Sequence, residues 1–213
     1  MKYDLHIHTH NSRCSNLKPR EILKIAKKNG LDGVAITDHD TIKGSLEALK
    51  ENKDKDFEVI KGEEVTTDIA HVLALHIQKE IKPGNIFRVL DDIKKQDGLA
   101  IIAHPFGVGF LRKHLNLDIN KIKDKIDALE TFNARCFFHW ENDKAVRIAK
   151  KIGIAQTAGS DAHFWFEIGK GLTVFEGDLR KAIKNKKTKI VQMFNPALVG
   201  RFLSGIEYTK LYK

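Results

Sequence analysis

His6 and His8 stand two apart near the start of the chain, in DLHIHTHNS, with His10 two further on and Cys14 close behind. Imidazoles at alternate positions project from one face of an extended strand, and a pair so placed can grip one metal ion. The neighbours fit that geometry: Tyr3, Leu5 and Ile7 alternate with Asp4, His6 and His8, the period of a half-buried strand. His10 lies beyond the strand and reads as an outer or exposed residue. Two imidazoles do not complete a site, and further donors recur at the ends of later apolar runs. Asp38 and His39 close GVAITDHD, and Glu64 closes the core of FEVIKGEEVTT. His104 ends LAIIAH, Glu130 and Asn133 end DALETFN, and Asp161 and His163 close IAQTAGSDAH. Random placement would scatter histidines over helices and turns, as with His114 and His139; His76, at the end of HVLALHI, reads either way.

The elements that must position these residues alternate. KPREILKIAKKNG has a helical period and closes on Gly30; IKGSLEALKEN, NIFRVLDDIKKQDG, HWENDKAVRIAKKIG and DLRKAIKNKK repeat the helical pattern. Between them lie short apolar runs, so that a strand-then-helix rhythm of roughly 30 residues predicts parallel strands with helices outside. In a barrel of parallel strands all carboxyl ends meet at one mouth, which is where ligands distant in sequence converge. No low-complexity linker or internal repeat interrupts the pattern, and the tail NPALVGRFLSGIEYTKLYK carries no readable motif.

The 213 residues, 42% hydrophobic and 31% charged, suffice for one core. No stretch approaches a membrane span and MKYDLHIH has no signal-peptide character, so a cytoplasmic chain is expected, with Cys14 and Cys136 as free thiols. The net charge of +9 favours anionic partners, although many lysines sit in helical stretches where they keep a surface solvated.

Six motifs together, DLHIHT, ITDHDT, GEEVTT, HVLAL, AHPF and GSDAHF, resemble the PHP (polymerase and histidinol phosphatase) family of metal-dependent phosphoesterases, in the family's order across residues 4 to 164. IGKGLTVFEGDLRKAIKNKK is similar to the segment that follows the last motif in stand-alone members. The resemblance implies a distorted (β/α)7, TIM-like barrel over residues 1–187, its metal site at the carboxyl ends of the strands, with residues 188–213 an extension packed on the same domain. It implies two or three divalent ions, with imidazole-rich ligation favouring manganese, iron or zinc. His6 and His8 would hold one ion with Asp161 and a bridging Glu64, His71 and His104 a second with Glu64, and His39 and His163 a third. Glu64 rather than Glu63 follows from the family's Gly-x-Glu pattern, with Gly62 two residues earlier. The chain departs from the family where an Asp or His is usual five or six residues after His8: Arg13 and Cys14 stand there. Arg13 has no acceptor to offer a metal, whereas Cys14 as a thiolate is a candidate ligand of the third ion.

Six imidazoles and two carboxylates leave two or three divalent ions with a surplus of about +2 or +4, which a phosphate group meets. A metal-bridging hydroxide attacking phosphorus is the implied chemistry, with Asp38, Asp40 or an imidazole such as His39 assisting the leaving oxygen. Arg135 and Arg13 are candidate phosphate clamps. The expected substrates are nucleotides and short oligonucleotides or a small phosphorylated metabolite, with Phe106, Phe137, Phe138, Phe164 and Trp165 available for stacking. Two other classes are weighed: an inactive barrel serving as a nucleic-acid-binding or scaffold subunit, and an amidohydrolase-like enzyme cleaving C–N bonds. The retained ligand set argues against the first, and the surplus positive charge against the second.

Overall fold

The computed structural model describes residues 1–107 and 118–193; His114 and the tail from residue 194 onward lie outside the described residues. Nine strands form one sheet in the order β7-β6-β5-β4-β3-β2-β1-β8-β9. They are β1 (Lys2–Ile7), β2 (Gly33–Ile36), β3 (Glu58–Thr66), β4 (His71–Leu75), β5 (Leu99–Ile102), β6 (Ala128–Asn133), β7 (Ala155–Gly159), β8 (Gly171–Val174) and β9 (Lys189–Gln192). Five helices punctuate them: α1 (Pro19–Lys28), α2 (Lys43–Glu51), α3 (Ile86–Lys95), α4 (His139–Ile152) and α5 (Leu179–Lys184). The sheet curls into a nearly closed, distorted TIM-like barrel. Its seam lies where β7 meets β1 and β8: His8 N–H donates to Ala162 O at 3.0 Å, and Ala158 N–H donates to Thr173 Oγ1 at 2.8 Å. Gly159 permits the approach, since a Cβ there would lie 2.4 Å from His6 Cβ.

The all-parallel expectation is corrected. β1–β2, β2–β3, β5–β6 and β6–β7 are parallel, but β4 runs antiparallel to both β3 and β5, and β8 antiparallel to β1 and β9. The reason is covalent: only residues 67–70 separate β3 from β4, and a parallel return needs a crossover of a dozen or more. The reversal places His71, the first residue of β4, at the same mouth as the carboxyl ends of its neighbours, and sends His76 to the opposite end.

β1 is not half-buried either. Residues Tyr3 to His8 are all buried, because the strand has the barrel interior on one side and helices on the other, and a register slip between Asp4 and Ile7 turns Ile7 from the inner to the outer layer. Tyr3 and Leu5 join the barrel interior with Ile60, Leu73 and Ile101, a cluster closed from below by Leu179, Ala182 and Ile183 of α5. Ile7 instead joins the layer under α1, with Ile22, Leu23 and Ala26. A third cluster holds α3 and α4 against the sheet, through Val89, Leu90, Ile93 and Ala149. Helix α1 ends one residue earlier than expected, at a C-cap of Asn29, with Gly30 following at φ +72°.

Candidate metal centre

Donors from six strands or strand-end loops converge at one mouth of the barrel. His6 Nε2 and His8 Nε2 are 3.1 Å apart. Asp161 Oδ1 lies 3.7 and 3.3 Å from them, and Glu64 Oε2 3.4 and 3.3 Å. Metal–ligand bonds of about 2.05 Å in tetrahedral array imply donor separations of about 3.4 Å. All five of these separations match that figure within 0.4 Å. The other oxygen of Glu64 faces a second set: His71 Nδ1 and His104 Nε2 each lie 2.9 Å from Oε1. His39 Nδ1 approaches Oε2 at 3.1 Å, and His8, His39 and His163 form a third convergence of donors. Glu64 therefore stands between sets, one oxygen to each, as a bridging carboxylate does. Strand parity selects it over Glu63: Glu64 shares the inner face with Ile60, and Glu63 the outer face with Val65.

The hydrogen bonds behind the cluster fix which ring nitrogen is bare. Ser12 has one hydroxyl proton, and Asp38 Oδ1 at 2.6 Å takes it. Ser12 Oγ must then accept from its other two neighbours, the N–H of His39 at 3.0 Å and His8 Nδ1 at 3.2 Å. His8 thus carries its proton on Nδ1 and turns a bare Nε2 to the cluster. His6 does the same against Glu130 Oε1 at 3.0 Å, and His163 against the carbonyl of Asp161 at 2.7 Å. These are the outer contacts that orient metal-bound histidines, and together with the donor spacing they show that these residues fit divalent ions.

Electrostatics agree. Burial alone would raise the Glu64 carboxyl, but the charges of His39, His71 and His6 and the bond from His104 hold it well below the usual range. Burial would lower His6, yet Glu130, Asp161 and Glu64 together push it well above its ordinary value: without an ion the ring takes a second proton at Nε2, where a bound cation would replace it. His39 is lowered to about 4, mainly by burial, and His163 is driven well down by burial, Arg135 and His8, so both imidazoles are neutral and available as donors at pH 7. His104 and Asp161 sit at positive φ, 28° and 55°, a local backbone cost of order 1–3 kcal/mol each that the surrounding bonds must sustain.

The remaining sequence candidates fall around this cluster. Cys14 Sγ does not join any of the convergent donor groups. Burial, Asp161 and Glu64 push its thiol up while Arg135 pulls it down. Asp38 is fully buried and committed, accepting from Thr9 N–H at 2.6 Å and Thr9 Oγ1–H at 2.7 Å besides Ser12, so it braces the loop after β1 from behind. Asp40 likewise accepts from Thr66 N–H and Oγ1–H at 2.7 and 2.9 Å. Arg135 is buried, with Nη1 3.1 and 3.2 Å from the carboxylate of Glu167, whose Oε2 also accepts from His163 N–H at 2.8 Å. Arg13 is exposed on the loop after β1, and His10 pairs with Glu47 near the surface.

Sequence reading missed the roles of Ser12, Glu130, Glu167 and Asp4. Glu130 Oε2 accepts from His104 N–H at 2.7 Å and Asn133 Nδ2–H at 3.0 Å, and Asn133 also reaches Asp161. Asp4 ties β1 to the segment beyond β7 through Ser160 and Gly169, and burial raises its carboxyl to about 6 against those bonds. Glu130 was visible as a strand-end carboxylate; nothing in sequence marked the others.

A barrel that gathers six imidazoles and two carboxylates at one mouth presents a candidate metal centre. Comparison with known proteins supports this class. The PHP domain family model matches residues 4–134 and the PHP-associated model residues 139–188. The chain belongs to the PHP family. Two uncharacterized proteins of Methanocaldococcus jannaschii are similar to it: one is 38% identical over 146 residues, covering 63% of this chain and 82% of the relative, the other 34% identical over 182 residues, covering 82% and 70%. A 5'-3' exoribonuclease of Haemophilus influenzae is 37% identical over 82 residues, 37% of this chain and 30% of that one. The fold is shared with a two-domain protein from Bacteroides vulgatus containing a predicted PHP-like metal-dependent phosphoesterase, at TM-score 0.72 and 18% identity over 91% of this chain and 65% of that one. A putative metal-dependent phosphoesterase from Bifidobacterium adolescentis shares it at TM-score 0.65 and 19% identity, over 79% of this chain and 88% of that one.

Proposed function

We propose that the protein is a metal-dependent hydrolase of phosphate esters acting on nucleotides, short oligonucleotides or a small phosphorylated metabolite. The observation that supports this most is the convergence of inward-facing imidazole nitrogens on the two carboxylates, at tetrahedral spacing around His6, His8, Asp161 and Glu64, with the outer nitrogens of His6, His8 and His163 all fixed. The proposed ligands are His6, His8, Asp161 and Glu64 for one ion, Glu64, His71 and His104 for a second, and His39 and His163 with His8 for a third; manganese, iron and zinc suit this set. Bound ions acidify water to supply the nucleophile and neutralise charge on the phosphoryl oxygens. The chain's own residues then orient the ester. His39 and His71 have the most accessible side chains of the six imidazoles, 35% and 20% exposed, and so face an incoming substrate. His39, neutral above about pH 4, suits a ligand or a proton acceptor rather than a donor. Asp38 contributes by positioning, since both its oxygens are engaged. Arg135, at the edge of the cluster, and Arg13, outside it, are the guanidinium groups proposed to meet the remaining phosphate charge.

The test is the metal content of protein purified without chelator, together with a manganese-supplemented screen of phosphomonoesters, nucleotides and short RNA. Two or three ions per chain and release of phosphate or nucleotide are expected. In His8→Ala, metal is expected to be lost and kcat/KM to fall at least about 100-fold with the fold retained. Wild-type turnover by a metal-free His8→Ala protein would remove the reading.

A further inference from the structure

Both tryptophans of the chain are exposed, Trp140 at 47% and Trp165 at 65%. Trp140 lies in the first turn of α4, and the Phe138 ring before it, 46% exposed, stacks toward it with centroids 6.2 Å apart and planes inclined by 19°. Phe137 meets Phe138 edge-on at 4.6 Å. Trp165 stands two residues past His163, edge-on to Phe166, which lies parallel to Phe164 at 5.8 Å. Among the described residues the other large exposed aromatic side chain is Phe87 on α3. Among the described residues the aromatic surface is therefore concentrated on the loops that follow β6 and β7.

Those loops also build the metal centre. Asn133, the last residue of β6, donates to Asp161 at 3.3 Å. Phe138 is five residues further, within about 18 Å by chain length, and Trp165 is within about 7 Å of His163. Nothing in phosphate hydrolysis uses these rings. A small phosphorylated metabolite would lie inside the mouth and leave them in water. A chain of stacked bases entering the site would cover them.

We propose that Phe138 and Trp140, with Trp165 on the neighbouring loop, form a base-stacking shelf for a single-stranded oligonucleotide whose terminal phosphate enters the metal cluster. The proposal rests on the phosphoesterase reading and narrows its substrate class. Every base has a π-face, so a ladder of rings binds single strands with little sequence preference. Charge favours this occupant over a second copy of the chain: the molecule carries +9, and in the turns that follow Trp140 α4 exposes Lys144 and Arg147 against one exposed carboxylate, Asp143. Lys144 lies over the Phe106 ring at 4.4 Å, linking α4 to the loop after β5, and presents its cation near the same mouth.

The test measures binding of a terminally phosphorylated, fluorescein-labelled hexauridylate with hydrolysis-resistant phosphorothioate linkages, by fluorescence anisotropy on the protein as purified. An abasic phosphate chain of equal length is the comparison. Phe138→Leu and Trp140→Leu keep apolar bulk and remove the ring. They are expected to weaken hexauridylate binding about 5- to 100-fold, to leave abasic binding unchanged, and to leave hydrolysis of p-nitrophenyl phosphate at the wild-type rate. Equal affinity for the abasic chain, or wild-type affinity in both variants, would overturn the shelf. So would sedimentation showing a wild-type dimer that the variants dissolve, since the patch would then be a contact between copies. Failure of the phosphoesterase reading looks different: the wild type would then hydrolyse no phosphate ester at all, whatever the anisotropy reports.

Discussion

One hydroxyl proton, that of Ser12, decides the tautomer of His8, and one carboxylate, Glu130, decides that of His6. Glu130→Gln keeps an acceptor of the same shape but removes the charge that makes His6 a stronger donor. Isothermal titration of the metal-stripped protein is expected to show manganese affinity reduced about 10- to 100-fold, and the melting temperature of the metal-free form to fall as well, because the new amide nitrogen meets the donors of His104 and Asn133; unchanged affinity would deny Glu130 that role. Glu63 presents the opposite case. Oε1 accepts from Ile81 N–H at 2.6 Å, whereas Oε2 is buried without a hydrogen-bond partner. Burial, opposed by the Ile81 bond and reinforced by Glu80 and Asp40, raises the carboxyl from 4.5 to about 7. The folded protein thus keeps this proton up to about pH 7, and the unfolded chain loses it near 4.5. The stability this confers is full below 4.5 and lost as pH rises through 7, a difference on the order of 3 kcal/mol. Glu63→Gln stays neutral throughout. Calorimetry is expected to show it close to wild type at pH 4.5 and more stable by about 1–3 kcal/mol at pH 8, a rise of several degrees; a pH-independent difference would contradict the argument. At this scale the donors that meet at the mouth were legible, since strand-end histidines announce themselves. Their partners were not: His6 and Glu130 are 124 residues apart, and no local pattern pairs them.

Helix α2 shows how an element serves the site without contributing a ligand. Its first turn lies against the loop after β1 because Gly44 has no side chain; a Cβ there would stand 2.0 Å from Asp38 Oδ2 and 2.4 Å from Thr9 Oγ1. Gly44→Ala is expected to push Asp38 from Thr9 and Ser12, costing about 1–3 kcal/mol of stability and weakening metal binding through His8. Asn85→Ala provides the contrast. Asn85 caps α3 by accepting from Phe87 N–H and Arg88 N–H, so its loss should cost about 1 kcal/mol and leave metal affinity at the wild-type value. Equal effects of the two substitutions on metal binding would refute the special position of α2. Helices and most strands were readable from periodicity. The direction of β4 was also available, in the short spacing between GEEVTT and HVLAL, but the rhythm of alternating strands and helices masked it. The bulge in β1 left no such mark, because all its residues are compatible with burial on either face.

The residues proposed as ligands join the barrel as a whole, drawing on β1, β3, β4, β5 and the segments after β2 and β7. An ion held by them would tighten the sheet across its seam. Saturating manganese at 100 to 1,000 times its dissociation constant should stabilise the protein by about 3–4 kcal/mol, read as a melting temperature higher by about 10 °C and reversed by a chelator; no shift would mean that the site binds no ion in the folded state. No helix among the described residues is long and apolar enough to cross a membrane. What the sequence by itself determined was the kind of residue at the mouth: histidines and carboxylates at strand ends, in an order that marks the PHP family, because strand period and element alternation are local properties. What only the tertiary structure decided was who meets whom. The two oxygens of Glu64 divide between donor sets, Asp38 turns its carboxylate to Ser12 and Thr9, and Arg135 pairs with Glu167. Those outcomes depend on strand direction, a bulge and the closure of a seam, which bring together side chains whose separation along the chain carries no information about their distance.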